Sequence, residues 1–172
     1  MTEVGATWLT VDAFDETSDV YYGRGSLGLF GFLYLFGEYQ NQSSDFNNTD
    51  TNALALGAGA HFAIVPKLDV FGELSYLYAD VSSDLAALDD SNTGYEAAVG
   101  ARFMLLPWSG GGLEVDGSIN YIDLENRFAN DDAATGWEVG ARLHFIKLLS
   151  IGASYAEIDD DDQASVNLRV SF

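Results

Sequence analysis

Apolar and polar residues alternate along most of the chain with a period of two, which is typical of β-strands. The pattern is most regular at the end, where polar residues separate Val166, Leu168, Val170 and Phe172. A strand with one apolar face and one polar face separates two environments. The period predicts ten strands in a single domain over residues 1–172, at about 3–14, 20–30, 33–42, 52–64, 68–80, 94–106, 111–124, 135–146, 148–158 and 165–172.

The lengths of the predicted strands and connections indicate a barrel that crosses a membrane. Most strands cover roughly 10 to 13 residues, against about 5 to 6 in soluble proteins and about 9 to 11 in tilted membrane strands. Short connections alternate with longer polar ones, which lie at 15–19, 41–51, 81–92, 125–134 and 159–164. Short turns on one rim and long loops on the other are typical of transmembrane barrels. The expected fold is all-β, a ten-stranded antiparallel up-and-down transmembrane β-barrel.

Aromatic residues on the apolar face differ in type between the two ends of the predicted strands. Tyr and Trp lie near the predicted long-loop ends, Phe lies near the short-turn ends, and aliphatic residues such as Leu56, Val99 and Val139 lie between them. A bilayer with two interfaces selects two such belts, whereas the core of a soluble barrel has no reason to sort in this way. The predicted belts are Tyr39, Tyr76, Tyr95, Tyr121, Trp137 and Tyr155 at one end, and Phe30, Phe62, Phe103, Phe145 and Phe172 at the other.

The polar face mixes both charge signs, and its strand positions carry no Lys. Arg facing Glu or Asp suits a confined, hydrogen-bonded interior, so this face is assigned to the lumen. The predicted lumen charge network comprises Arg24, Glu38, Glu73, Glu96, Arg102, Glu114, Asp116, Glu138, Arg142 and Arg169.

Counting residues back from the predicted turns gives partners within this network. Arg24 falls opposite Glu38. Arg102 falls opposite Asp116 or the carboxylate two residues before it, and Arg142 comes within reach of Asp116. The expected arrangement is a ladder in which Asp116 lies between two guanidinium groups.

The strand that ends on Phe172 resembles the closing strand of bacterial outer-membrane β-barrels, although Val170 stands where that family commonly has a second aromatic residue. Along nearly its whole length the chain resembles small barrels of the OmpA/OmpX-like broad family. The resemblance implies a porin-like monomer of the bacterial outer membrane, in contact with the lipid bilayer and lipopolysaccharide. It also implies assembly by the barrel-assembly machinery through the C-terminal strand.

Composition narrows the partners and the chemistry. The formal net charge of -20, from 27 acidic and seven basic residues, excludes nucleic acid, because a phosphate backbone requires basic contacts. Without cysteine, neither a disulfide nor a thiolate metal site is possible. The first residues lack the basic start and apolar run of an export signal, so we expect a chain from which that signal is absent.

Two histidines and one acidic run are the candidates for chemistry. His61 and His144 fall on the polar face near the short-turn rim, outside any Ser/His or Asp/His motif. Interior histidines hydrogen-bonded to carboxylates are favoured, and neither enzyme activity nor a cofactor is expected. A solvated loop tip is likewise favoured over a rim that loosely binds calcium or magnesium, because the run lacks a calcium-loop pattern. Its residues are Glu157, Asp159, Asp160, Asp161 and Asp162.

Three functional hypotheses follow. The first is an outer-membrane barrel with a largely side-chain-filled polar lumen and a structural or surface-interaction role. The second is a narrow pore that prefers cations, because acidic lumen residues outnumber basic ones. The third is a soluble lipid-binding barrel of ten strands, in which inside and outside are exchanged.

Overall fold

The computed structural model describes residues 2–11, 16–44, 49–83, 90–124, 133–159 and 161–171. None of these residues belongs to a helix long and apolar enough to cross a membrane. They form ten strands: β1 (Thr2–Val11), β2 (Glu16–Phe30), β3 (Leu33–Ser44), β4 (Thr49–Val65), β5 (Leu68–Ser83), β6 (Asp90–Trp108), β7 (Gly111–Leu124), β8 (Ala134–Ile146), β9 (Leu149–Ile158) and β10 (Asp161–Val170).

Each strand pairs antiparallel with its neighbours in chain order, so the sheet is a meander. The first strand, β1, pairs with β2 on one side and with β10 on the other, and the order of the described strands returns to its start. In the β1–β10 pair, Thr2 lies opposite Val170 and Thr10 opposite Asp162. The all-β, antiparallel, up-and-down architecture predicted from the alternation is confirmed.

The four short turns share one construction. They lie at 31–32, 66–67, 109–110 and 147–148, and each incoming strand has a register irregularity just before its turn, as between Gly28 and Phe30. Gly31 and Gly110 have φ angles of 39° and 89°, which glycine adopts without a steric penalty. Bulges of this kind increase local twist, which helps a sheet to curve into a barrel.

The predicted strand ends on the opposite rim were wrong in several places. β6 begins at Asp90 and not at residue 94, and β3 continues to Ser44. The predicted loop 159–164 is also wrong, because β10 begins at Asp161. Polar residues in these segments pair as strands beyond the apolar band, where the period of two is no longer marked by apolar residues.

Apolar side chains cover the outside of the barrel, and polar side chains face the lumen. Leu27, Val99 and Ile119 are among the most exposed, at 67%, 62% and 65%. Buried polar side chains include Arg142 and Asn167. A soluble protein has the reverse arrangement, because exposed apolar surface is favourable only against lipid or a partner. The soluble lipid-binding alternative is therefore wrong.

Candidate functional site

The lumen contains a cavity of about 910 Å³. Its lining includes residues beside the short turns, such as Gly28 and His61, and residues near the other rim, such as Gln42 and Leu124. The cavity therefore runs along the barrel and is not confined to one end.

A first charge cluster is centred on Arg24 of β2. Its Nη1 lies 3.6 Å from Glu38 Oε2, and its Nη2 donates to Glu73 Oε1 at 2.5 Å. Tyr34 donates its hydroxyl to the same Glu73 oxygen at 2.6 Å, and the Arg24 guanidinium lies 4.2 Å from the centre of the Phe36 ring. Because β3 and β4 separate β2 from β5 in the sheet, the Arg24–Glu73 contact reaches across part of the lumen. The register has Arg24 opposite Glu38, as residue counting predicted.

A second cluster surrounds Asp69 of β5. Arg102 Nε and His61 Nδ1 lie 3.6 Å and 3.3 Å from the same oxygen, Asp69 Oδ2. The Arg102 guanidinium also lies 4.9 Å from the centre of the Phe71 ring. The register places Arg102 opposite Asp116, one of the two predicted alternatives, but the guanidinium extends towards Asp69. Sequence counting missed this contact because it considered the other neighbouring strand.

A third cluster lies on β7 to β10. Arg142 is opposite Glu114 in the register, and its Nη1 donates to Asn167 Oδ1 at 2.8 Å. His144 Nε2 lies 3.7 Å from Glu114 Oε1. The Asp116 carboxylate lies over Gly140 on the neighbouring strand. Three guanidinium groups act electrostatically on Asp116, those of Arg102, Arg142 and Arg169.

The remaining predicted carboxylates lie together in the lumen. Glu96 is hydrogen-bonded to the Ser75 hydroxyl, and the charges of Glu73, Glu138 and Arg24 act on it. These groups line the same cavity, and over its whole lining carboxylates outnumber guanidinium groups by seven to four.

Several lumen aromatic rings lie flat against the barrel wall. A Cβ placed on Gly59 would fall less than 3 Å from the Tyr34 ring, and a Cβ on Gly57 would meet Phe36 in the same way. Glycine on β4 thus makes room for rings from β3. The lumen residues predicted from the sequence did not include these aromatic residues. A signal was present, since Phe36 precedes Glu38 by two residues and must share its face.

The outward aromatic residues and the acidic rim complete the predicted set. The described belt residues are all exposed, from 38% for Phe103 to 68% for Phe30. In the acidic run, Asp159 Oδ1 accepts from the Thr135 backbone N–H at 3.1 Å, and Tyr155 donates its hydroxyl to Asp162. Phe172 and Asp160 lie outside the described residues. Within the described ranges, no three acidic or histidine side chains are arranged to hold a metal ion.

Solved structures with similar folds are outer-membrane proteins. A bacterial polysaccharide outer-membrane secretin has a TM-score of 0.60 at 12% identity, covering 99% of this chain and 65% of that one. The β domain of the Bordetella autotransporter BrkA has a TM-score of 0.59 at 11% identity and 99% and 98% coverage. The NanC porin has a TM-score of 0.59 at 8% identity, and the whole of both chains is covered. At these identities the likeness concerns the fold alone.

No curated protein sequence matches the chain. A family model does match, that of the outer membrane protein beta-barrel domain, over residues 19–145. This segment is well over half of the chain and includes the lumen residues of β2 to β8. Together with the apolar exterior and the polar lumen, the match shows that the chain belongs to the outer-membrane protein β-barrel domain family, whose place is the bacterial outer membrane.

Proposed function

We propose that the chain forms a closed ten-stranded barrel in the outer membrane and acts as a narrow pore that prefers cations. The cavity of about 910 Å³, lined by residues from both ends of the barrel, is the observation that carries this proposal. Spread over a hydrocarbon thickness of about 30 Å, it gives a mean cross-section of roughly 30 Å², several times the roughly 10 Å² of a single file of water. A continuous water path fits this space better than the largely filled lumen expected from the sequence.

The charges of the lining support cation preference. Seven carboxylates face four guanidinium groups in the cavity, and rings of acidic side chains favour cations in pores. The carboxylates are Glu38, Asp69, Glu73, Glu96, Glu114, Asp116 and Glu138, and the guanidinium groups are those of Arg24, Arg102, Arg142 and Arg169.

Single-channel recording in planar bilayers tests the proposal. The refolded protein is expected to conduct, with a reversal potential of cation-selective sign in a potassium chloride gradient. Glu138→Gln should move that potential towards zero, because it removes a lumen carboxylate. Glu157→Gln is the matched control, because Glu157 lies opposite Trp137 in the β8–β9 pair and shares its outer face. An absence of conductance, or equal shifts in both variants, would contradict the pore.

A structural or surface-interaction role with a closed lumen is the second candidate. It is favoured by the contacts of Arg24 with Glu38 and Glu73, which reach across part of the lumen. In this case the parent protein would be silent in bilayers, and Arg24→Ala would open a conductance. The two candidates are thus separated by the same recording.

The remaining proposals concern partners. We expect a monomer, because pairing of β1 with β10 leaves no free strand edge for a second copy. We also expect no enzyme activity. The outward belts suit contact with the lipid bilayer and lipopolysaccharide. Recognition of β10 by the barrel-assembly machinery is proposed from the resemblance of its sequence to closing strands.

A further inference from the structure

The lumen is not polar throughout, because one part of its wall is apolar. Lumen-facing positions near the long-loop rim on β4, β5, β7 and β9 carry aliphatic side chains that line the cavity. We call this surface the apolar wall, and it consists of Ala55, Leu77, Ala79, Ile122, Leu124 and Ile158.

Three members of the apolar wall lie in one row across the sheet, namely Ala55, Leu77 and Leu124. Leu77 lies opposite Ala55 on one side and opposite Gly94 on the other, and Gly94 in turn lies opposite Leu124. Gly94 has no side chain, and the Leu124 side chain lies over it, because a Cβ placed on Gly94 would fall 2.8 Å from Leu124 Cδ2. The aliphatic surface therefore continues from β4 to β7. Contact between these apolar side chains and water in the cavity is unfavourable unless a ligand covers them.

Carboxylates border the apolar wall on the side of the short turns. Ile122 lies directly opposite Glu96, at a Cβ separation of about 5 Å for such pairs. Glu73 and Glu138 act electrostatically on Glu96, and Arg24 supplies the opposing charge. The apolar wall therefore ends at three carboxylates, Glu73, Glu96 and Glu138, which we call the carboxylate group.

We infer that this end of the lumen binds small amphipathic cations, with the apolar body on the apolar wall and the ammonium beside the carboxylate group. Charge complementarity selects the cation, since an anionic amphiphile would meet excess negative charge. A small hydrated ion would make no use of the apolar wall. The inference rests on the cavity and its lining, and it does not require that the barrel conducts.

Calorimetry on the protein in zwitterionic phosphatidylcholine nanodiscs tests this site, with 4-phenylbutylamine as the probe. Two comparison compounds separate its features: 4-phenylbutyrate has the same body and the opposite charge, and butylamine has the charge without the ring. Saturable binding of the probe is expected, about tenfold tighter than either comparison compound. Empty nanodiscs correct for partition into lipid.

Three variants locate the binding. Glu96→Gln and Ile122→Thr should each weaken the probe by about five- to tenfold, because one removes a charge and the other removes apolar contact. Gln42→Asn is the matched control at a polar position of the same cavity and should bind as the parent does. A heat-modifiable gel shift verifies that each variant is folded.

Probe binding no tighter than that of both comparison compounds, or unchanged in Glu96→Gln and Ile122→Thr, would overturn the inference. Failure of the pore would appear separately, in the planar-bilayer recording. A silent barrel that binds the probe would retain this site and lose only the proposed pore, and a conducting barrel that does not bind it would do the opposite.

Discussion

Replacement of Val99 by Arg tests which face of the barrel meets lipid. Val99 lies on the outer face of β6 and is 62% exposed. Tyr95 and Phe103, each four residues away on the same face, are 55% and 38% exposed and belong to opposite aromatic belts. With a rise of about 3.4 Å per residue and a tilt of about 40°, each ring lies roughly 10 Å from Val99 along the membrane normal. Val99 is therefore close to the bilayer midplane.

The cost of the substitution follows from this depth. Arg on the lipid face near the midplane destabilises a transmembrane barrel by about 2 to 4 kcal/mol, which lowers the folding equilibrium constant roughly 30- to 1000-fold. The neighbouring residue provides a matched control, because Ala98 lines the cavity and lies opposite Glu73. Ala98→Arg introduces the same side chain on the same strand, facing water and a carboxylate, and should cost less than about 1 kcal/mol.

Urea titration of folding into phosphatidylcholine vesicles measures both variants. Folding is followed by the heat-modifiable gel shift and by tryptophan fluorescence. Val99→Arg should fold only at much lower urea than the parent, and Ala98→Arg should fold almost as the parent does. Equal stability of Val99→Arg and the parent, or a greater loss in Ala98→Arg, would mean that the inside and the outside have been exchanged.

Three further predictions concern closure, packing and the acidic rim. Cysteines replacing Ala6 and Val166, which lie opposite each other in the β1–β10 pair, should form a disulfide in the folded protein, and a folded barrel that never cross-links would contradict closure. Gly94→Ala should lower the free energy of unfolding by about 2 kcal/mol or more, because its Cβ would collide with the Asp123 backbone carbonyl. Gly25→Ala is the control, because its Cβ would meet no atom and the substitution should cost less than about 1 kcal/mol. Similar urea midpoints for the two variants would refute this prediction. Calcium should leave the thermal midpoint unchanged, because the Asp159 and Asp162 carboxylates at the rim already accept hydrogen bonds. A clear rise in the midpoint would support a rim that binds calcium.

The period of two was sufficient to predict the architecture and the two faces. Each strand that crosses an apolar slab must place every second residue in lipid, so Leu56, Val99 and Val139 identify the outer face without any knowledge of the fold. Tight turns made some registers predictable as well. The short turn at 31–32 leaves little freedom for the register between β2 and β3, and Arg24 accordingly lies opposite Glu38.

The strand ends and the partners of long side chains were less predictable. Beyond the apolar band both faces are polar, so segments such as Thr49–Val65 begin before the alternation becomes visible. The partner of Arg102 was difficult to predict, because its long side chain can reach residues on both adjacent strands. Counting across the β6–β7 turn indicated Asp116, but the register also places Asp69 of β5 opposite Arg102, and the contact is with Asp69. Only the geometry of the side chains in the lumen decides between Asp116 and Asp69.

The rings of Tyr34 and Phe36 lie flat only because positions 59 and 57 are glycine. A methyl group at position 59 would displace the Tyr34 ring from the wall and into the cavity, whereas one at position 57 would also meet the backbone carbonyl of Leu74. The bore of the barrel is therefore adjustable through residues that carry no charge and no functional group. In the proposed pore, Gly59→Ala would lower the conductance while every carboxylate and guanidinium stays in place.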